Sequence, residues 1–152
     1  MKDERGYDPM HRLICKSHSS LAQKHHETKK KWGAEFLVRN TEKYCVKIMT
    51  LEPDTQCSMH FHEDKEETFV LVSGEMIVET INTKNAERSV THLVVVGDAV
   101  TLKPGTPHTF YCPEGAIQTA VFIEASTEDS PNDSYRIFPS RGKDVDHGRH
   151  NN

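Results

Sequence analysis

Between residues 36 and 123 the chain is a succession of short segments rich in β-branched and aromatic residues, at 36–39, 44–50, 56–62, 68–72, 75–81, 90–96, 99–102, 108–111 and 117–123. Turn-forming residues separate them: Asn40, Pro53-Asp54, Ser73-Gly74, Asn82 to Asn85, Gly97-Asp98, Pro104-Gly105 and Pro113 to Gly115. No helical period intervenes, and strands this short at this spacing restrict the chain to an antiparallel sandwich or barrel. The flanks are polar and lack sustained periodicity. The expected organisation is therefore an N-terminal segment at 1–31, either a mobile arm or a short helix near 19–24, a β-barrel at 32–125 and a tail at 126–152.

A chain of 152 residues has room for one core. Its net charge of −4 and single short basic cluster, Lys29, Lys30 and Lys31, offer no broad positive face for nucleic acid. No stretch reaches the 18 or so apolar residues of a membrane helix, and the first thirty residues contain no apolar signal region. Cys15, Cys45, Cys57 and Cys112 form no close pair, so reduced thiols and a cytoplasmic location are expected. Cys57 and His60 lack the second ligand pair that a zinc finger would need.

His60 and His62 lie two residues apart, so on a strand both point to one face, with Gln56 and Ser58, while Cys57, Met59 and Phe61 point to the other. Glu67 opens the next strand of a hairpin, and the turn from Lys103 to Pro107 delivers His108. Inside a small barrel such a set can be satisfied by a shared ion. Three neutral imidazoles and one carboxylate suit Zn, Fe(II), Mn, Co or Ni, with positions left for water or substrate.

The pattern His60-x-His62-x4-Glu67-x6-Gly74 resembles the first cupin motif, with Asp54 where the leading glycine is usual. Gly97-x7-Gly105-x2-His108 resembles the second, with Lys103 in place of a proline and Cys112 in place of an asparagine. The resemblance implies a jelly-roll β-barrel, commonly a homodimer, that holds one divalent transition metal through His60, His62, Glu67 and His108. Trp32-Gly33-x-Glu35, Asn40, Tyr44, Val46-Lys47-Ile48, Lys65 and Asp129-x5-Tyr135-Arg136 look like the sugar and sugar-phosphate isomerase branch, which includes D-lyxose isomerase and the cupin-type mannose-6-phosphate and glucose-6-phosphate isomerases.

Aldose–ketose isomerisation moves a proton between adjacent carbons through an enediolate, and so needs a Lewis acid and a general base. Lys65 is a candidate for proton transfer, or else a hairpin lysine balancing Glu63, Asp64 and Glu66. Lys47 either lines the cavity, where it would hold a sugar hydroxyl or phosphate, or faces water. Arg136 either clamps an anionic substrate or pairs on the surface with Asp129 or Asp133. Tyr111 and Phe110 are candidate cavity walls or core. The sequence reveals no second carboxylate inside the barrel, Glu79 being the only acidic residue well within an apolar segment. Two other functions suit the same ligand set: a mononuclear iron dioxygenase with an apolar pocket, and a non-catalytic module that binds a sugar or small carboxylate.

Overall fold

A computed structural model describes residues 26–143, and the segment near 19–24, read as a mobile arm or a short helix, lies outside them. Eleven strands follow one another: β1 (His26–Lys30), β2 (Gly33–Asn40), β3 (Cys45–Leu51), β4 (Met59–Phe61), β5 (Glu67–Ser73), β6 (Met76–Ile81), β7 (Arg88–Leu93), β8 (Ala99–Leu102), β9 (His108–Tyr111), β10 (Ala120–Ser126) and β11 (Tyr135–Phe138). They form two antiparallel sheets, ordered β1-β2-β3-β10-β5-β8 and β11-β4-β9-β6-β7, the all-β arrangement of a jelly roll. Among the described residues no helix is long and apolar enough to cross a membrane.

The inner faces follow from strict alternation. Cys45, Lys47, Met49 and Leu51 of β3 are all buried, as are Glu67, Phe69 and Leu71 of β5. Phe69, Phe110 and Phe122 meet edge to face with ring centroids 5.2–5.5 Å apart, and Trp32 stands edge-on to Phe110 at 5.0 Å. This aromatic floor separates the aliphatic core of Leu51, Leu71, Met76, Val78 and Leu93 from a polar end where the candidate site lies. At the β5–β6 turn Gly74 has φ +75°. A Cβ there would stand 2.8 Å from the Ala120 Cα, so the turn admits only glycine.

Some boundaries differ from the sequence expectation. The sheets extend into both polar flanks: β1 pairs with β2, and β11 pairs with β4. Both are exposed edge strands: β1 carries no apolar side chain, and Tyr135, Ile137 and Phe138 of β11 are exposed. Residues 94–96, expected in a strand, lie in a loop after β7, where the Asp98 carboxylate accepts the Val94 and Val95 N–H groups.

Candidate metal centre

The strand register brings the ligands together. His60 of β4 lies directly opposite His108 of β9, and His62 follows at the end of β4. Glu67 enters from β5 on the facing sheet. One donor atom from each of His60, His62, Glu67 and His108 lies within 4.8 Å of every other. Atoms sharing one ion at about 2.0–2.2 Å stand up to about 4.4 Å apart, so shifts of a few tenths of an ångström complete the shell. His62, Glu67 and His108 are buried, and His60 is half-buried.

Each imidazole is oriented by a backbone carbonyl. Nδ1 of His60 donates to Ser58 O at 2.8 Å, Nδ1 of His108 to Thr106 O at 2.9 Å, and Nδ1 of His62 to Asp133 O. This pattern assigns the proton to Nδ1 in all three rings and turns the Nε2 lone pairs inward, the usual support of metal-binding histidine. His108 Nε2 then faces Glu67 Oε1 at 2.8 Å, and with the ring in its neutral Nδ1–H form both buried atoms lack a hydrogen-bond partner. Two buried lone pairs in contact call for a cation. The residues therefore fit a divalent ion.

Protonation states agree with that fit. Burial, reinforced by His108, pushes the His60 imidazole down to about 3, so it stays neutral at neutral pH. Burial works against ionisation of Glu67, but the Lys65 ammonium, 3.1 Å from Oε2, favours the charged form, and the carboxyl lies below its usual range. Cys57 lines the cavity, contrary to the expected alternation, because the regular strand starts only at Met59. Its thiol is pushed up to about 12 by burial, and it lies outside the cluster of four.

Beside the four ligands is a ring of buried charges. Lys65 Nζ donates to Glu124 Oε1 at 2.5 Å and Asp129 Oδ1 at 3.0 Å, and lies 3.1 Å from Glu67 Oε2. Lys47 Nζ lies 2.8 Å from Asp129 Oδ2 and 3.6 Å from Glu124 Oε1. Lys47 thus faces the cavity, and Lys65 balances Glu67, Glu124 and Asp129 rather than Glu63, Asp64 and Glu66. Burial alone would lower both ammonium groups, but the carboxylates outweigh it and raise them, most strongly for Lys65. For Asp129, burial is outweighed by Lys65 and Lys47, and its carboxyl falls to about 2. The ring and three of the ligands, His60, His62 and Glu67, line a cavity of about 180 Å³, walled on its apolar side by Trp32, Met49, Phe69 and Phe110.

Two of these residues escaped the sequence reading. Glu124 is the interior carboxylate that 1D inspection lacked: β10 runs to Ser126, and Ala120, Phe122 and Glu124 share the buried face. Extending the period-2 pattern one residue past Ile123 would have found it. Asp133 accepts the N–H groups of Glu63, Asp64 and Lys65 with its carboxylate while its carbonyl orients His62, so one residue from the polar tail organises the loop between two ligands. No local signal marks it. Asp133→Ala is expected to weaken metal binding about 10–100-fold, the usual effect of losing a support for a ligand. Competition with a chromogenic chelator would measure this, and a wild-type affinity would refute the role.

Residues 47–124 match the Cupin_2 family model, a cupin domain. The chain belongs to the cupin family. Among solved structures, this cupin is similar to the capsular polysaccharide assembling protein CapF from Staphylococcus aureus, at 18% identity and TM-score 0.68, over 78% of this chain and 33% of that one. It is similar too to oxalate decarboxylase from Bacillus subtilis, at 17% identity and TM-score 0.65 over 79% and 33%, and to that of Lactobacillus farciminis, at 17% and 0.64 over 79% and 38%. The chain thus spans little more than a third of the length of these proteins, and the likeness establishes the fold. No curated protein matches it in sequence.

The cupin motif departures are accommodated locally. Asp54, in the glycine position, adopts φ +59°, a left-handed conformation that Asp tolerates better than most residues. Lys103 is exposed and pairs with Glu66, and Cys112 packs in the core. Tyr111 does not line the cavity. His108 and Phe110 take the inward positions of β9, so Tyr111 projects from the opposite face, within 3.4 Å of Glu79. Glu79 itself pairs there with Arg88. Arg136 is exposed on β11, directly across from His60.

Proposed function

We propose that this cupin is a metal-dependent aldose–ketose isomerase acting on a small polyhydroxylated substrate. The observation that carries the reading is Glu124, a buried carboxylate in the cavity lined by His60, His62 and Glu67, contacted by Lys47 and Lys65. When bound, a divalent ion held by His60, His62, Glu67 and His108 would supply Lewis-acid stabilisation of negative charge on the substrate oxygens. Glu124 takes and returns the migrating proton. Both of its lysine contacts run to Oε1, and Oε2 is the atom assigned to the transfer. The two ammonium groups fix that carboxylate and offer donors to substrate hydroxyls, while Trp32 and Phe110 exclude water from one wall.

The charged ring favours this reading over a dioxygenase for aromatic or thiol substrates, which would meet buried charge where they need apolar surface. The cavity is smaller than the roughly 300–1,000 Å³ of pockets for drug-sized ligands, and so suits a compact substrate end.

The test is proton exchange. Metal-loaded protein incubated in D₂O with a panel of aldoses, ketoses and their phosphates should introduce deuterium beside the carbonyl carbon, read by proton NMR. Glu124→Gln should lower the rate by about 10²–10⁴-fold with metal content unchanged. Wild-type protein that exchanges nothing while consuming dioxygen would overturn the isomerase reading, as would full activity in Glu124→Gln.

A further inference from the structure

Asp129 occupies donors that a ligand in the cavity would need. The Lys65 Nζ has Glu124 Oε1, Asp129 Oδ1 and Glu67 Oε2 within 3.1 Å. An ammonium has three N–H groups and this one is buried, so a ligand oxygen reaches Lys65 only where one of the three carboxylates withdraws. Glu67 and Glu124 are buried on β5 and β10. Asp129 belongs to the loop after β10, and its side chain is 30% exposed. It also bridges the lysines, its Oδ2 lying 2.8 Å from Lys47 Nζ. The ring sets Glu67, Glu124 and Asp129 against Lys47 and Lys65, so in metal-free protein the withdrawal of Asp129 leaves two buried carboxylates matched by two ammonium groups. Withdrawal of Glu67 or Glu124 would instead disrupt a strand. Asp129 is therefore the member that leaves at the smallest cost.

The chain around Asp129 is fixed at both ends and free between them. At one end Thr127 donates its N–H to Glu66 O at 3.0 Å and accepts the Glu66 N–H at Oγ1. At the other, the buried Asp133 accepts the N–H groups of Glu63, Asp64 and Lys65. Between these feet, residues 128 and 130–132 are exposed, while Asp129, Ser130 and Pro131 form part of the cavity wall. Asn40 holds the Asp129 backbone: its side-chain Oδ1 accepts the Asp129 N–H at 3.0 Å, and its Nδ2 donates to the Asp129 carbonyl at 2.8 Å. Asn40 is exposed at the end of β2, so both bonds compete with water and their net hold is modest.

We propose that residues 127–133 are a strap that gates the metal cavity, with Asp129 as a built-in competitor for the two ammonium groups. A ligand enters by exchanging an oxygen of its own for the Asp129 carboxylate on Lys65 and Lys47, and the Asn40 latch sets how readily the strap lifts. The use of this exchange in turnover rests on the isomerase reading, but the strap itself can be tested without turnover.

The probe is formate, the smallest carboxylate and so the closest match to the displaced group, with chloride at equal ionic strength as the control. Metal is first removed by chelation and dialysis, which leaves formate no ion to bind. Backbone amide NMR shifts follow binding. Asn40→Ala, a change at an exposed position, should tighten formate binding about tenfold, the equilibrium value of one or two exposed hydrogen bonds. Asp129→Ala vacates the position outright and should bind formate more tightly still. In wild type, saturating formate should speed hydrogen exchange at the Asp129 N–H and leave the Lys65 N–H, held by the Asp133 foot, unchanged. Equal formate affinity in wild type and both variants would overturn the strap, as would formate binding in wild type with Asp129 exchange unaltered. Displacement by formate without deuterium incorporation into any sugar would uphold the strap and remove the isomerase reading. Deuterium incorporation alongside formate binding that is indifferent to Asn40 and Asp129 would do the reverse.

Discussion

Lys65→Met is expected to destabilise the fold by about 3–5 kcal/mol, the loss typical when one partner of a buried ion pair is removed. Lys65 is 4% exposed, and its ammonium is shared by Glu67, Glu124 and Asp129. Lys47 reaches only Glu124 and Asp129, so in metal-free protein the substitution leaves Glu67 with an uncompensated buried charge and the other two sharing one cation. The thioether fills the space of the lysine stem, so the loss isolates the charge rather than a cavity. Denaturant unfolding would show it as a lower midpoint at constant slope. A variant within about 0.5 kcal/mol of wild type, the range of ordinary surface substitutions, would mean that the ring is not buried as described.

A second variant separates the charge effect from damage to packing. In Lys65→Met combined with Glu124→Gln, one of the stranded carboxylates becomes neutral, and part of the lost stability should return. The two changes are in direct contact, and so should depart from additivity by about 0.5–3 kcal/mol. Purely additive losses would place the two side chains in separate environments.

That ring also marks where reading along the chain fails. The motif residues were accessible because each follows a local rule: two histidines at strand period, a carboxylate after a hairpin loop, a histidine after a Gly-Thr-Pro turn. The succession of short strands likewise depends on nearest neighbours. Lys47 and Lys65 were visible as charged residues out of place, but their partners were not, because Glu124 and Asp129 lie 59 and 64 residues beyond Lys65. The β3-β10-β5 register, which aligns Lys47 with Glu124 and Glu124 with Phe69, decides that pairing. Tyr111 was misplaced for a related reason: adjacent to Phe110, it shares its neighbour's composition but not its face. Asp133 and Arg136 reach the site through β11 and the segment before it, where Tyr135, Ile137 and Phe138 are too short a strand signal to stand out from the polar tail around them.

Metal removal is expected to have the other large effect. Glu67 Oε1 and His108 Nε2 are buried acceptors in contact, with neither supplying a proton, so the apo fold bears a polar penalty that an ion would relieve. An ion that binds the folded chain alone adds about 4.1 kcal/mol at a free concentration 1,000-fold above its Kd. For a chain of this length, that is a rise in Tm of roughly 8–16 °C. Thermal scans of chelated protein, alone and with Mn, Fe(II), Co, Ni or Zn, would rank the ions by the rise each produces. His108→Ala removes both a ligand and the lone-pair conflict, so the rise in Tm that each ion produces should be much smaller than in wild type. If chelated and reloaded wild type melt together, the contact is bridged by a proton rather than a metal, and the four residues are a buried hydrogen-bonded cluster.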